Sequence, residues 1–90
     1  MGIALIKIKI MPESIEADLK KIKKKSEFII SKNHGKNIKI ETEPIAFGLN
    51  ALIAGFARDE TLDSDNLLKE LQKTKEVSSV EIIDFRRAIG

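Results

Sequence analysis

The sequence predicts an α+β domain of the ferredoxin-like type, in the order β-α-β-β-α-β, with a four-stranded antiparallel sheet and two helices on one face. Three observations carry that expectation. Apolar residues alternate with a period of two in three segments, run continuously in a fourth, and recur every three to four positions in two others. The two helical segments each fall between strands that need a crossover, and right-handed crossovers place both on the same side of the sheet. Finally, 90 residues with 42% hydrophobic and 33% charged side chains suffice for one core and leave little for a second, so residues 1–90 form a single domain.

Ile3 to Ile10 opens the chain as a strand, with Ile6, Ile8 and Ile10 on one face and Lys7 and Lys9 on the other. Met11-Pro12-Glu13-Ser14 ends it, because Pro12 has no N–H to give to a ladder and Ser14 suits a helix N-cap, with Glu16 and Asp18 near the positive helix end. Ile15, Leu19, Ile22, Ser26 and Ile29 or Ile30 then follow at helical spacing, with lysines between them, and Asn33-His34-Gly35-Lys36-Asn37 is turn chemistry. Ile38 and Ile40 alternate with Lys39 and Glu41 in a second strand that ends at Pro44.

Leu49 to Ala57 is apolar apart from Asn50, as in a central strand buried on both faces or packed under helices. Arg58-Asp59-Glu60 carries the chain into solvent. Thr61, Asp63 or Ser64 caps a second helix with Leu67, Leu68 and Leu71 inward. Val80, Ile82 and Phe85 mark a last strand, with Glu81 and Asp84 outward.

Composition narrows the function classes. Only 4% of residues are aromatic, so the core is aliphatic, and the formal charge of +2 gives no strong overall field for nucleic acid or lipid. Without cysteine there is no disulfide, thiolate metal site or thiol nucleophile. Lys7 and Lys9 interrupt the apolar start, and no apolar stretch approaches the roughly 20 residues of a bilayer span; a cytoplasmic protein is expected.

The run Lys20, Lys21, Lys23, Lys24, Lys25 is a nucleic-acid candidate, but half of it lies opposite the apolar stripe, where it reads as a solvated helix face. An RNA-recognition motif would need aromatic residues in a central strand, and none is present there in the required pattern. His34, the only histidine, sits beside Gly35 as a turn residue, and Asp59-Glu60 and Asp63-Asp65 flank a helix start without a cation-loop pattern. No phosphate loop, serine elbow or zinc motif occurs, so covalent catalysis is not expected.

Two segments remain. Glu43-Pro44-Ile45-Ala46-Phe47-Gly48-Leu49 sets one of four phenylalanines beside a glycine between two strands, as a core plug or a probe for a partner's pocket. Asp84-Phe85-Arg86-Arg87-Ala88-Ile89-Gly90 puts adjacent arginines after the last strand, as a solubilising tail or a functional cation.

These two segments, with Met11-Pro12-Glu13-Ser14 and Val77-Ser78-Ser79-Val80-Glu81-Ile82, resemble the archaeal elongation factor 1-beta family over essentially the whole chain. The resemblance implies a protein that is not an enzyme but a guanine-nucleotide exchange factor for elongation factor 1-alpha, with no cofactor, metal or nucleic acid of its own, acting on the magnesium and GDP site of that GTPase. It implies that Phe47, held by Pro44 and Gly48, enters a pocket of the partner. It also implies that a cation near Phe85 reaches the magnesium and phosphate region. Eukaryotic relatives have lysine there; here Arg87 aligns with it and Arg86 is the alternative. A rival from another class is a small RNA-binding or regulatory module acting through the lysine-rich first helix.

Overall fold

The computed structural model describes residues 2–88: β1 (Ile3–Pro12), α1 (Leu19–Lys32), β2 (Lys36–Ala46), β3 (Leu49–Asp59), α2 (Asp65–Gln72) and β4 (Val77–Ala88). The strands form one antiparallel sheet in the order β2-β3-β1-β4, so β1 and β3 are central and each crossover helix spans one intervening strand. The expected ferredoxin-like order is the observed one.

Alternation places the core. Ala4, Ile6, Ile8 and Ile10 of β1 and Leu52, Ala54 and Phe56 of β3 are buried, and they meet Ile22, Ile29 and Ile30 of α1 and Leu67 and Leu71 of α2. Their neighbours in sequence, Leu5, Lys7 and Lys9 of β1 and Ile53, Gly55 and Ala57 of β3, are exposed or half-buried on the opposite, open face. The apolar run of β3 is therefore covered by helices on one face only.

The passage from β1 into the first helix differs from expectation. β1 continues through Met11 to Pro12, which pairs with Val77 across a register shift at the end of the strand, beyond its last pair with β3, where a residue without an N–H is tolerated. Ser14 accepts from the Glu16 N–H inside the connecting loop, whereas Asp18 is the N-cap, its carboxylate accepting from the Lys21 N–H at 3.2 Å. Ile15 thus precedes the helix instead of starting its stripe, and 66% of its surface is exposed.

The largest correction concerns Arg58. Expected in solvent, it is only 4% exposed and belongs to the helix-covered face of β3. Its Nε donates to the Asn33 carbonyl at 2.8 Å, its Nη1 to Ser64 Oγ at 3.3 Å and its Nη2 to the Asp63 carbonyl at 3.2 Å. Asn33 is the C-cap of α1, where unpaired carbonyls concentrate negative potential, so the guanidinium is compensated by a helix end instead of a carboxylate. Asn33 Nδ2 also donates to the Ile29 carbonyl and to Glu70, and Asn66 donates to both Asn33 and Glu70. One polar knot therefore ties α1, α2 and the β3–α2 connection together. At the same corner His34 turns the chain with φ +72°, and Gly35 passes so close that an added Cβ would lie 2.3 Å from the Ile30 side chain. The Ser64 side chain makes no cap bond; instead the Asp63 carboxylate accepts from the Asp65 N–H.

Candidate functional site

The β2–β3 connection is a two-residue hairpin. Ala46 pairs with Leu49, and the two residues between them, Phe47 and Gly48, both have positive φ, +52° and +80°, the signature of a type I′ turn. β2 runs on to Ala46 and does not end at Pro44. Pro44 pairs with Asn50 on this edge strand, and the register shift between Pro44 and Ala46 makes Ile45 a bulge. The turn is thus made by Phe47 and Gly48, with the bulge at Ile45 in the strand that leads into it.

Phe47 is 100% exposed. Its ring contributes nothing to the core, and the left-handed backbone costs a residue with a Cβ about 1–2 kcal/mol. Asparagine is the usual occupant of that turn position. The plug reading is excluded. Two further apolar side chains lie at this end: Ile45 is 39% exposed, and Ile15 approaches so that a Cβ on Gly48 would sit 4.0 Å from its Cγ2. The sequence did not single out Ile15, because its spacing matched the helical stripe.

The second candidate group lies elsewhere. Phe85, Arg86 and Arg87 are opposite Ile6, Leu5 and Ala4 at the other end of the sheet. Ala4 also pairs with Arg58, nine residues along β3 from Leu49, so roughly 30 Å of strand at about 3.3 Å per residue separates Arg87 from the hairpin tip. The structure does not bring Phe47 and the arginines into one site.

It does separate the arginines by face. Arg86 shares the open face with Leu5 and pairs with Asp84 at 3.1 Å, whereas Arg87 lies on the helix side and pairs with Glu60 at 3.2 Å. Phe85, 48% exposed, is opposite Ile6 on the helix side, beyond what the short α2 covers, and Ile82 on that face is also partly exposed. Ile89 and Gly90 lie outside the described residues. Among the described residues, no three His, Asp or Glu side chains converge as a metal site requires, and no helix is long and apolar enough to cross a membrane.

These features define a small ferredoxin-like domain that displays an apolar ring at one end of its sheet and a paired guanidinium at the other. The chain belongs to the family described as the EF-1 guanine nucleotide exchange domain, whose model matches residues 5–88. Among similar proteins, elongation factor 1-beta of Nanoarchaeum equitans is 40% identical over 82 residues, spanning 90% of this chain and 100% of the relative. Those of Methanosarcina acetivorans and Methanosarcina barkeri are 39% and 38% identical over 88 residues, spanning 97% of this chain and 99% of each relative. The family supports a guanine-nucleotide exchange role in translation elongation.

Proposed function

We propose that this protein accelerates GDP release from elongation factor 1-alpha by a two-ended contact, with Phe47 as an apolar wedge and Arg87 as a cation aimed at the magnesium and phosphate region. The observation that carries the reading is Phe47, a wholly exposed ring on a strained turn that the fold does not need. Such a ring repays its exposure only in a partner's pocket, where single aromatic anchors supply much of the binding energy.

Arg87 is preferred over Arg86 because it shares a face with half-exposed Phe85, while Arg86 is turned to the open face; each is held by one carboxylate, Glu60 for Arg87 and Asp84 for Arg86. In the bound state a Mg²⁺ is the largest charge holding the nucleotide phosphates. A guanidinium placed beside that ion raises the free energy of the nucleotide-bound complex, and a wedge that moves surrounding loops does the same. Coupling is reciprocal: the factor weakens nucleotide by the ratio in which nucleotide weakens the factor. GDP and GTP are both released faster, and GTP excess gives direction. No bond in this chain forms or breaks, and it brings no cofactor.

The test is release of fluorescent GDP from elongation factor 1-alpha on addition of excess GTP. Phe47→Ala folds normally and slows release about tenfold, the 1.4 kcal/mol expected of one anchoring aromatic. Arg87→Ala loses exchange more than affinity, and Arg86→Ala less of both. A wild-type release rate for Phe47→Ala would refute the wedge.

A further inference from the structure

We propose that the lysine face of α1 and the turn after α2 form a second binding surface, one for single-stranded RNA. The helix carries six lysines and one glutamate, a net of +5; set against +2 for the whole chain, this leaves −3 on everything else. In sequence this is a solvated face. The structure adds a second wall, because Lys73 and Lys75, from the segment after α2, line the same open groove as Lys21 and Lys25. Among the described residues, none of these four lysines forms an ion pair, unlike Lys32, Lys39, Arg86 and Arg87. Glu76 is the single acid lining the groove.

An aromatic completes the arrangement. Phe28 is 60% exposed and follows Lys21, Lys24 and Lys25 on one helical stripe, at i, i+3, i+4 and i+7. The Lys25 ammonium lies 5.6 Å from its ring centroid. Cations that track a phosphate backbone beside an aromatic that accepts a base are what single-stranded nucleic acid requires. A membrane surface would ask for a broad apolar face beneath the lysines, and that face of α1 is spent on the core through Ile22, Ile29 and Ile30. An acidic peptide would use the lysines but leave Phe28 unused. RNA uses both, and the surface is distinct from the hairpin tip and from Arg87.

Fluorescence anisotropy with a labelled 15-nucleotide single-stranded RNA tests this on the full chain. Binding is expected at 50 mM salt, and log K should fall against log salt with a slope of about −3, as four lysine–phosphate contacts at about 0.7 each predict. Lys25→Glu with Lys73→Glu should weaken binding at least tenfold. Phe28→Ala should weaken it about fivefold and leave the slope unchanged. Both variants should release GDP from elongation factor 1-alpha at the wild-type rate, and Lys39→Glu on the open face should bind RNA normally. With wild-type protein alone, unlabelled RNA should displace the probe better than dextran sulfate of equal charge. No binding at 50 mM salt would overturn the proposal. So would equal competition by dextran sulfate, wild-type affinity in the charge-reversed variant, or preference for anionic vesicles or an acidic peptide.

Discussion

At the scale of single residues, Phe47 sits where it does not stabilise the fold. A left-handed φ of +52° on a fully exposed ring is a local conflict, since neither backbone nor burial favours it there. Phe47→Asn should therefore stabilise the fold by about 1 kcal/mol, raising the melting temperature by about 4–8 °C, while slowing GDP release as Phe47→Ala does. A melting temperature equal to or below wild type would mean that the ring supports the fold after all. The prominence of this residue was legible in sequence from its glycine and proline neighbours. Its conformation was not, because a Phe-Gly pair does not announce the tight turn that Asn-Gly would. Ile15 was misplaced for a related reason: an apolar residue three to four positions from the next satisfies a helical stripe whether or not the helix has begun. Ser14 was expected as the cap and Asp18 only as an acid near the helix start; the Lys21 N–H, held by Asp18, makes Asp18 the cap instead.

Among elements, the polar knot at the end of α1 joins both helices to β3. Arg58 gives three hydrogen bonds there while nearly fully buried. Arg58→Ala leaves two carbonyls without a donor and opens space beneath the helices, so a loss of about 2–3 kcal/mol is expected in thermal or urea unfolding. Glu70 in the same knot is held below the usual glutamate range, first by the hydrogen bond from Lys32, then by that from Asn33. A lowered folded-state value means that its contribution is complete at neutral pH and disappears as pH falls through that value. Wild type and Glu70→Gln should therefore differ in melting temperature at pH 6 and converge towards pH 3. A constant difference would exclude the carboxylate charge as the source. Strands and helices were readable from periodicity, but the knot was not. Arg-Asp-Glu after an apolar strand looks like an exit to solvent, and only the nearby end of α1 makes the first of the three an interior residue.

For the whole molecule, the governing fact is length. The described chain is 42 Å in its longest dimension, and its two candidate contacts stand at opposite ends of the sheet. Residues that far apart, with no contact between them within the chain, are expected to contribute additively. The losses in affinity for elongation factor 1-alpha in Phe47→Ala and Arg87→Ala should sum in the double variant to within about 0.5 kcal/mol. A large departure, measured by titration calorimetry, would mean that the partner couples the two ends. The order of elements was readable from the sequence, whereas the separation of the contacts needed the strand register, which only pairing partners supply.

That register holds one more consequence. Between Asp84 and Ile82 the pairing of β4 with β1 slips by one, leaving Ile83 as an unmatched residue. Everything beyond it is thereby counted in the opposite parity. The bulge decides which arginine is odd and which is even, and so which of them looks towards the helices. Which arginine meets the helices is thus a property of chain length at Ile83: one further residue there would exchange the stations of Arg86 and Arg87 without changing either side chain, whereas removing Ile83 would only take out the bulge and leave both where they are.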